Sequence, residues 1–172
     1  MDEKERILFK KSIARLVICQ AVHMFFDVYN EEKNPNNILN IIDDYYVSSE
    51  FAGTGKGLCN SKFVFGVVEY VINNVENIDK KIKQYLVKEE PIETLDSMVV
   101  QILRVAIGEA EVYQKLSKNI IINEYVDIAG EFFNNIYISF INGVLTNIFN
   151  NNSKGKEAKN ISNGRKILSL NK

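Results

Sequence analysis

Residues 120–148 read IIINEYVDIAGEFFNNIYISFINGVLTNI, and this stretch decides the fold of the chain. It holds two segments, 119–134 and 136–149, whose apolar residues recur at helical spacing on either side of a polar break. Each segment carries a glycine, and the pattern predicts that Gly143 lets a neighbouring helix pack close. No side chain here has the setting of a catalytic nucleophile or a metal ligand. The stretch therefore predicts a helix pair that contributes packing and no chemistry of its own.

The rest of the chain shows the same helical periodicity in five further segments. They cover about residues 5–29, about 37–50, a segment from Ser61, a shorter one through Ile78 and Leu86, and about 93–114. Asn73 and Asn74 weaken the third segment and separate it from the fourth. Asn123 and Glu124 are placed to begin the sixth helix, where a polar cap and an acidic first turn are favourable. No segment alternates as a strand does, so we expect an all-α fold of about seven helices in one compact bundle.

Length and composition are those of one globular domain with a core of its own. The chain has 172 residues, of which 46% are hydrophobic and 25% charged. Domains cluster near 100–150 residues, so residues 1–149 are expected to form a single helical domain. The N-terminus lacks the apolar region of a signal peptide, and no apolar run approaches the ~18 residues that span a membrane. We therefore expect a cytoplasmic protein without a membrane partner.

Charge is divided unevenly along the chain. Residues 150–172 hold six basic side chains and one acid, a charge of +5, and the whole chain carries −1, so residues 1–149 carry −6. The polar sequence after Phe149 cannot bury enough apolar surface to order itself, which predicts a basic, disordered tail. Such a tail attracts any polyanion without sequence preference.

Groups that could catalyse or hold a metal are scarce. His23 is the one histidine of the chain, and its apolar neighbours favour a half-covered helix residue over a catalyst. Cys19 and Cys59 lack the spacing of a zinc site, and Cys19 falls on an apolar stripe. The glycine-rich loop 51–60 is not a phosphate cradle, because glycine follows Lys56 where a serine or threonine would bind magnesium. We expect no enzyme activity, no metal and no cofactor.

The residues alone point to a helical binding module, with RNA as one candidate partner. Three cations, Lys10, Lys11 and Arg15, lie near the start of the first helix, on or beside the face opposite its apolar stripe. A cluster this small is usually solvated surface. Its position leaves the partner class open.

Five short motifs, taken in order, resemble the NusB family. They are A-R-x-x-x-x-Q-A from Ala14, F-V-F-G-V-V-E from Phe63, L-D with I-L-R-V-A from Leu95, I-N-E-Y-V-D-I-A from Ile122, and F-I-N-G-V-L from Phe140. Each motif alone is weak, but five at near-family spacing across residues 6–149 form a specific pattern. The tail lies outside the resemblance.

The resemblance implies a fold, a function and partners. Members of this family are small all-helical proteins of two packed three-helix-type subdomains. They bind the boxA element of nascent RNA as a heterodimer with NusE, a ribosomal protein of the small subunit. The pair joins the RNA polymerase antitermination complex and promotes transcription of ribosomal RNA operons.

From the same resemblance, seven positions are expected to be RNA-binding residues. They are Lys10, Lys11, Arg15, Tyr85, Arg104, Phe140 and Asn142. The family's arginine-rich N-terminal segment reads KKSIAR here, from Lys10 to Arg15, so some guanidinium positions are gone. Lysine still binds phosphate, as a point charge without a planar fork. Tyr85 matches a tyrosine that can stack on an unpaired base. Arg104 and Phe140 match positions near the RNA face but are equally compatible with a structural role.

Three departures from the family pattern bear on these contacts. His23 stands where an aromatic residue is common, Val99 replaces an acidic position associated with NusE, and residues 133–136 replace a G-x-x-D-like turn. We therefore expect weaker RNA binding by the protein alone, and more dependence on the partner, than is typical of the family.

Two other functions stay open from the sequence. The same fold forms an accessory N-terminal domain in certain ribosomal-RNA methyltransferases, although a catalytic domain would need some 200 further residues. A helical protein–protein adaptor without RNA specificity is the second alternative.

Overall fold

In a computed structural model, residues 3–28, 37, 40, 60–86 and 91–150 are described, and these residues form five α-helices without any strand. The helices are α1 (Glu3–His23), α2 (Ser61–Lys83), α3 (Ser97–Val112), α4 (Lys118–Phe132) and α5 (Asn135–Phe149). A π-helical turn, Met24–Val28, extends α1, and a 3₁₀ turn, Ile92–Thr94, precedes α3. Across this part of the chain, no helix is both long enough and apolar enough to cross a membrane.

The all-α class is confirmed, but the expected number of about seven helices is not. The second predicted helix, 37–50, lies outside the described residues apart from Asn37 and Asn40. The third and fourth predicted helices are one helix, α2. The predicted tail, 150–172, also lies outside the described residues except for Asn150.

A kink in α2 explains why two helices were expected there. Asn74 leaves helical geometry, with φ −124° and ψ 16°. Its side-chain Nδ2 donates a hydrogen bond to the Tyr70 carbonyl at 2.8 Å, so the amide supplies a donor beside the break. The chain's contacts divide at the same residue into two compact units, Met1–Asn74 and Val75–Lys172.

In the first unit, the predicted stripe of α1 is buried. Its members are Ala14, Val17, Ile18, Ala21, Val22 and Phe25. Cys19 is also buried and is a free thiol, as its place on the stripe predicted. From α2, the buried side chains of this unit are Val64, Val67, Val68 and Val71. These apolar residues form the core of the unit, and they recur along each helix at the 3.6-residue periodicity of one buried face.

In the second unit, α3 is the central helix and packs against both α4 and α5. From Val99 to Ala110, every residue of α3 is buried except Arg104, which is half-buried. A helix that is buried on all its faces needs partners for each polar side chain that it carries. Glu109 has such a partner, because the Tyr125 hydroxyl of α4 donates to Glu109 Oε2 at 2.7 Å and both side chains are fully buried.

Side-chain caps set the starts of α3 and α5. The Asp96 carboxylate accepts from the backbone N–H of Met98 at 2.9 Å and of Val99 at 3.4 Å. Asn134, in the polar break of the sequence, accepts from the N–H of Ile136 at 3.1 Å. Each cap satisfies donors that the first turn of a helix leaves unpaired.

The predicted start of α4 at Asn123 and Glu124 is wrong. The helix begins at Lys118, because the Ser117 carbonyl already accepts from the N–H of Ile120 at 3.1 Å and of Ile121 at 3.2 Å. Asn123 and Glu124 therefore lie in the second turn, where their side chains have no capping role.

The prediction that Gly143 permits a close helix approach is also wrong. A Cβ built on Gly143 would meet no heavy atom of the described residues within 4 Å. On α4, a Cβ on Gly130 would lie 3.9 Å from Ile138 Cδ1, which is ordinary contact. Both helices thus have room for a methyl group where the sequence suggested that they did not.

We predict that Gly143→Ala stabilises the protein by about 0.5–1 kcal/mol, because alanine loses less conformational entropy than glycine in a helix. Urea unfolding followed by circular dichroism measures the change. Gly130→Ala is the matched control and should give a gain of similar size. Destabilisation by Gly143→Ala alone would show that another part of the protein approaches this glycine closely.

Candidate nucleic-acid interface

The seven predicted RNA-binding residues are divided between the two units. Lys10, Lys11 and Arg15 lie on α1 in the first unit. The other four, Tyr85, Arg104, Phe140 and Asn142, lie in the second.

On α1, the cations differ in exposure. Lys11 is exposed, and the side chain of Lys10 lies outside the described part of the structure. Arg15 is only 3% exposed, and its guanidinium lies over the Phe63 ring of α2, 5.8 Å from the ring centre. A guanidinium over an aromatic face makes a cation–π contact that stabilises the packing of the two side chains. In this conformation Arg15 contributes to the core of its unit.

Arg104 is tied to the second half of α2 by a bidentate ion pair. Its Nε and Nη2 donate to the two Asp79 carboxylate oxygens at 2.8 and 2.7 Å, and its Nη1 donates to Gln101 Oε1 at 3.1 Å. The Arg104 side chain is 12% exposed. Because the planar fork is occupied by a carboxylate of the same unit, this geometry favours the structural role over contact with RNA.

Phe140 and Asn142 lie on different faces of α5. Phe140 is 7% exposed and belongs to the core, whereas Asn142 is exposed. Residues two apart on a helix point about 200° from each other, so the burial of one places the other towards solvent. Asn142 Oδ1 accepts from the Thr146 hydroxyl at 3.2 Å, which orients the amide on the helix surface.

Tyr85 is half-buried just after α2 ends, and it lines a surface cleft of about 210 Å³. The other lining residues are Lys81, Gln84, Ile107, Ala110, Glu111, Lys118, Ile148 and Phe149. The cleft therefore combines two aromatic rings, two ammonium groups, one carboxylate and one amide with three aliphatic side chains. Lys118 and Phe149 were not among the predicted site residues, because a cleft built from four separate segments has no local signature in the sequence.

The structure shows the surroundings of all three departures from the family pattern. His23 is 37% exposed, and its Nδ1 lies 2.9 Å from Asp27 Oδ2, one turn later. Val99 is 1% exposed, so this position contributes to the core and presents no side chain to a partner. In the turn between α4 and α5, the Phe133 ring packs on Tyr137 with ring centres 4.9 Å apart.

Within the described part of the chain, no group of three or more His, Cys, Asp or Glu side chains could hold a metal ion. The His23–Asp27 contact is a two-residue arrangement on one helix. Burial, together with the Glu109 carboxylate, raises the pKa of the Tyr113 phenol, so this hydroxyl stays neutral at physiological pH.

Comparison with known families gives a match to the NusB family over residues 14–150. This covers all of α2 to α5 and the second half of α1, from Ala14 to His23. The chain belongs to the NusB family.

Curated relatives agree with this assignment over nearly their whole length. The transcription antitermination protein NusB of Rickettsia bellii (strain OSU 85-389) is 29% identical over 147 residues, which cover 84% of this chain and 93% of that protein. The NusB of Rickettsia akari (strain Hartford) is 29% identical over 149 residues, covering 84% and 94% of the two chains.

Solved structures share the fold at lower identity. A crystal structure of the antitermination factors NusB and NusE in complex with dsRNA matches with a TM-score of 0.65 at 18% identity, covering 83% of this chain and 97% of the matched chain. T. maritima NusB matches with a TM-score of 0.63 at 22% identity, covering 80% and 88%.

We predict that Arg104→Lys destabilises the protein by about 1.5–3 kcal/mol, because lysine keeps the charge but loses the bidentate bonds to Asp79. Urea unfolding measures this loss. Together with Asp79→Asn and the double variant, this change forms a double-mutant cycle. The stability changes of the two single variants should be non-additive, because the two residues act as one pair. If stability is unchanged while RNA affinity falls, Arg104 is an RNA contact and its structural role is refuted.

Proposed function

We propose that this protein is a cytoplasmic transcription antitermination factor that binds boxA-type single-stranded RNA together with the ribosomal protein NusE. In this role it joins the RNA polymerase antitermination complex and promotes transcription of ribosomal RNA operons. The observation that carries the proposal is the family match across residues 14–150, with curated antitermination proteins aligned over more than nine-tenths of their length. The NusB–NusE–RNA complex among the structural neighbours supports the choice of partners.

Among the seven predicted residues, we assign RNA contact to Lys10, Lys11, Tyr85 and Asn142. The support for Lys11 and Asn142 is their exposure, and for Tyr85 its place at the cleft. Lys10 is retained as the neighbour of Lys11 in the family's basic N-terminus.

The remaining three residues are assigned to positioning. Arg15 and Phe140 are buried, and Arg104 is held by Asp79. In this proposal they fix the helices that carry the contacts, and their substitution affects RNA binding only through the fold.

The distribution of charge makes RNA binding dependent on the partner. Residues 1–149 carry −6, which disfavours a polyanion and favours a basic ribosomal protein. Lysines supply point charges, so the protein alone gains little orientation from its phosphate contacts. A basic partner that neutralises the acidic domain and adds its own RNA surface removes both disadvantages.

The proposal is tested by measuring boxA RNA affinity with and without NusE across a salt series. We expect tight binding only with NusE. Lys10→Ala with Lys11→Ala should weaken it and reduce the slope of log affinity against log salt by about 1.4, since each phosphate contact on a single strand contributes about 0.7. Lys62→Ala with Lys115→Ala, which removes two exposed lysines elsewhere, is the charge-matched control.

Three results would contradict the proposal in different ways. Absence of RNA binding in both conditions refutes it, and NusE binding alone would then identify a protein adaptor. Equal affinity for scrambled RNA would mean that only charge is acting, with the basic tail as its source. An unchanged ternary complex after the Lys10 and Lys11 substitutions would place the RNA face elsewhere.

A further inference from the structure

The cleft beside Tyr85 is formed by the end of α2, the last turns of α3, the start of α4 and the end of α5. Its volume of about 210 Å³ is below the ~300–1,000 Å³ of sites for drug-sized ligands. It therefore suits a single flat group better than an extended one. All its lining residues belong to the second unit.

The walls of the cleft match the chemistry of an unpaired nucleobase. Tyr85 and Phe149 provide aromatic rings, on which bases of single-stranded RNA stack. Gln84 and Glu111 provide an amide and a carboxylate that can bond the polar edge of a base. The Glu111 carboxylate is fixed in place by Lys81, whose Nζ lies 2.5 Å from Oε1.

Lys118, which lines the same cleft, is held by two contacts. Its Nζ donates to the Ala110 carbonyl in the last turn of α3 at 2.6 Å, and it lies 5.7 Å from the centre of the Phe149 ring. An ammonium has three N–H donors, so one bond to a carbonyl leaves capacity for a phosphate oxygen. The contacts orient the lysine before any ligand arrives, which reduces the entropy lost on binding.

We propose that this cleft is a subsite for one unpaired RNA nucleotide. The base stacks on Tyr85 or Phe149, and Lys118 binds the adjoining phosphate. The inference rests on the proposed RNA-binding function and adds to it a site with Lys118, Phe149, Gln84 and Glu111, of which the resemblance assigns none. A mixed aromatic and cationic lining favours a nucleotide over an apolar peptide side chain, because an apolar side chain would offer no anion to the Lys118 ammonium, which contacts a carbonyl and an aromatic ring.

The test compares Lys118→Gln, Lys118→Arg and the control Lys115→Gln in complex with NusE and boxA RNA. Lys118→Gln should weaken RNA binding and reduce the salt slope by about 0.7, the contribution of one phosphate on a single strand. Lys118→Arg keeps the charge and should restore both values, whereas Lys115→Gln, on the neighbouring loop, should change neither. Thermal unfolding of each variant shows whether loss of the Ala110 contact has altered the fold.

A scan of the RNA with single abasic nucleotides locates the base. One position should lose about tenfold in affinity, the size expected of one stacked base. In Phe149→Ala or Tyr85→Ala, that position should become insensitive to base removal, while the other positions respond as before.

The outcomes separate this inference from the function on which it rests. If the wild-type protein binds boxA RNA with NusE but Lys118→Gln behaves like Lys115→Gln, the subsite is refuted and the function stands. If Lys118→Gln weakens NusE binding without RNA and leaves RNA affinity unchanged, the cleft is a protein contact and the subsite is refuted. Absence of boxA binding by the wild-type complex refutes both.

Discussion

The burial of α3 is the constraint on which the second unit depends. A helix covered on all its faces cannot leave a polar side chain unpaired without a large loss of stability. The polar residues of α3 therefore require polar partners at matching positions on the neighbouring helices. Arg104 requires Asp79 at the end of α2, and Glu109 requires the Tyr125 hydroxyl of α4. These two contacts fix α2 and α4 on α3 by directional bonds, whereas the apolar contacts around them are tolerant of small shifts.

The need to pair polar groups in the core changes how the motif residues are interpreted. The I-L-R-V-A motif identifies the family, and its arginine is charged, which suggests RNA contact when only the sequence is considered. The bidentate pair with Asp79 gives the same arginine a sufficient structural reason. Phe140 and Arg15 follow the same pattern, since both belong to motifs and both are buried. A motif that is shared across a family thus reports packing at least as readily as it reports a binding surface.

Periodicity predicted the parts of the fold that depend on local sequence. The stripe of α1 and the breaks near Asn74 and Asn134 were located because apolar spacing and polar interruptions are read within a few turns. Contacts between residues that are far apart in the sequence could not be predicted from these local patterns. Arg104 and Asp79 are 25 residues apart, and the sequence offers many other acids as partners. The space around Gly143 and the burial of Arg15 likewise depend on neighbouring elements. No local sequence pattern distinguishes a glycine with open space beside it from one in a tight contact, or a buried arginine from an exposed one.

With Arg15 and Arg104 committed to packing, the proposed RNA contacts are made by lysines, aromatic rings and amides. A lysine attracts phosphate but does not orient it, because its ammonium is a single charge on a flexible chain. Sequence preference must then come from stacking and from the polar edges of bases, which a small cleft can restrict to one nucleotide. An acidic domain that reads RNA in this way gains few phosphate contacts of its own. In the proposed function, dependence on a basic partner therefore follows from the packing roles of Arg15 and Arg104.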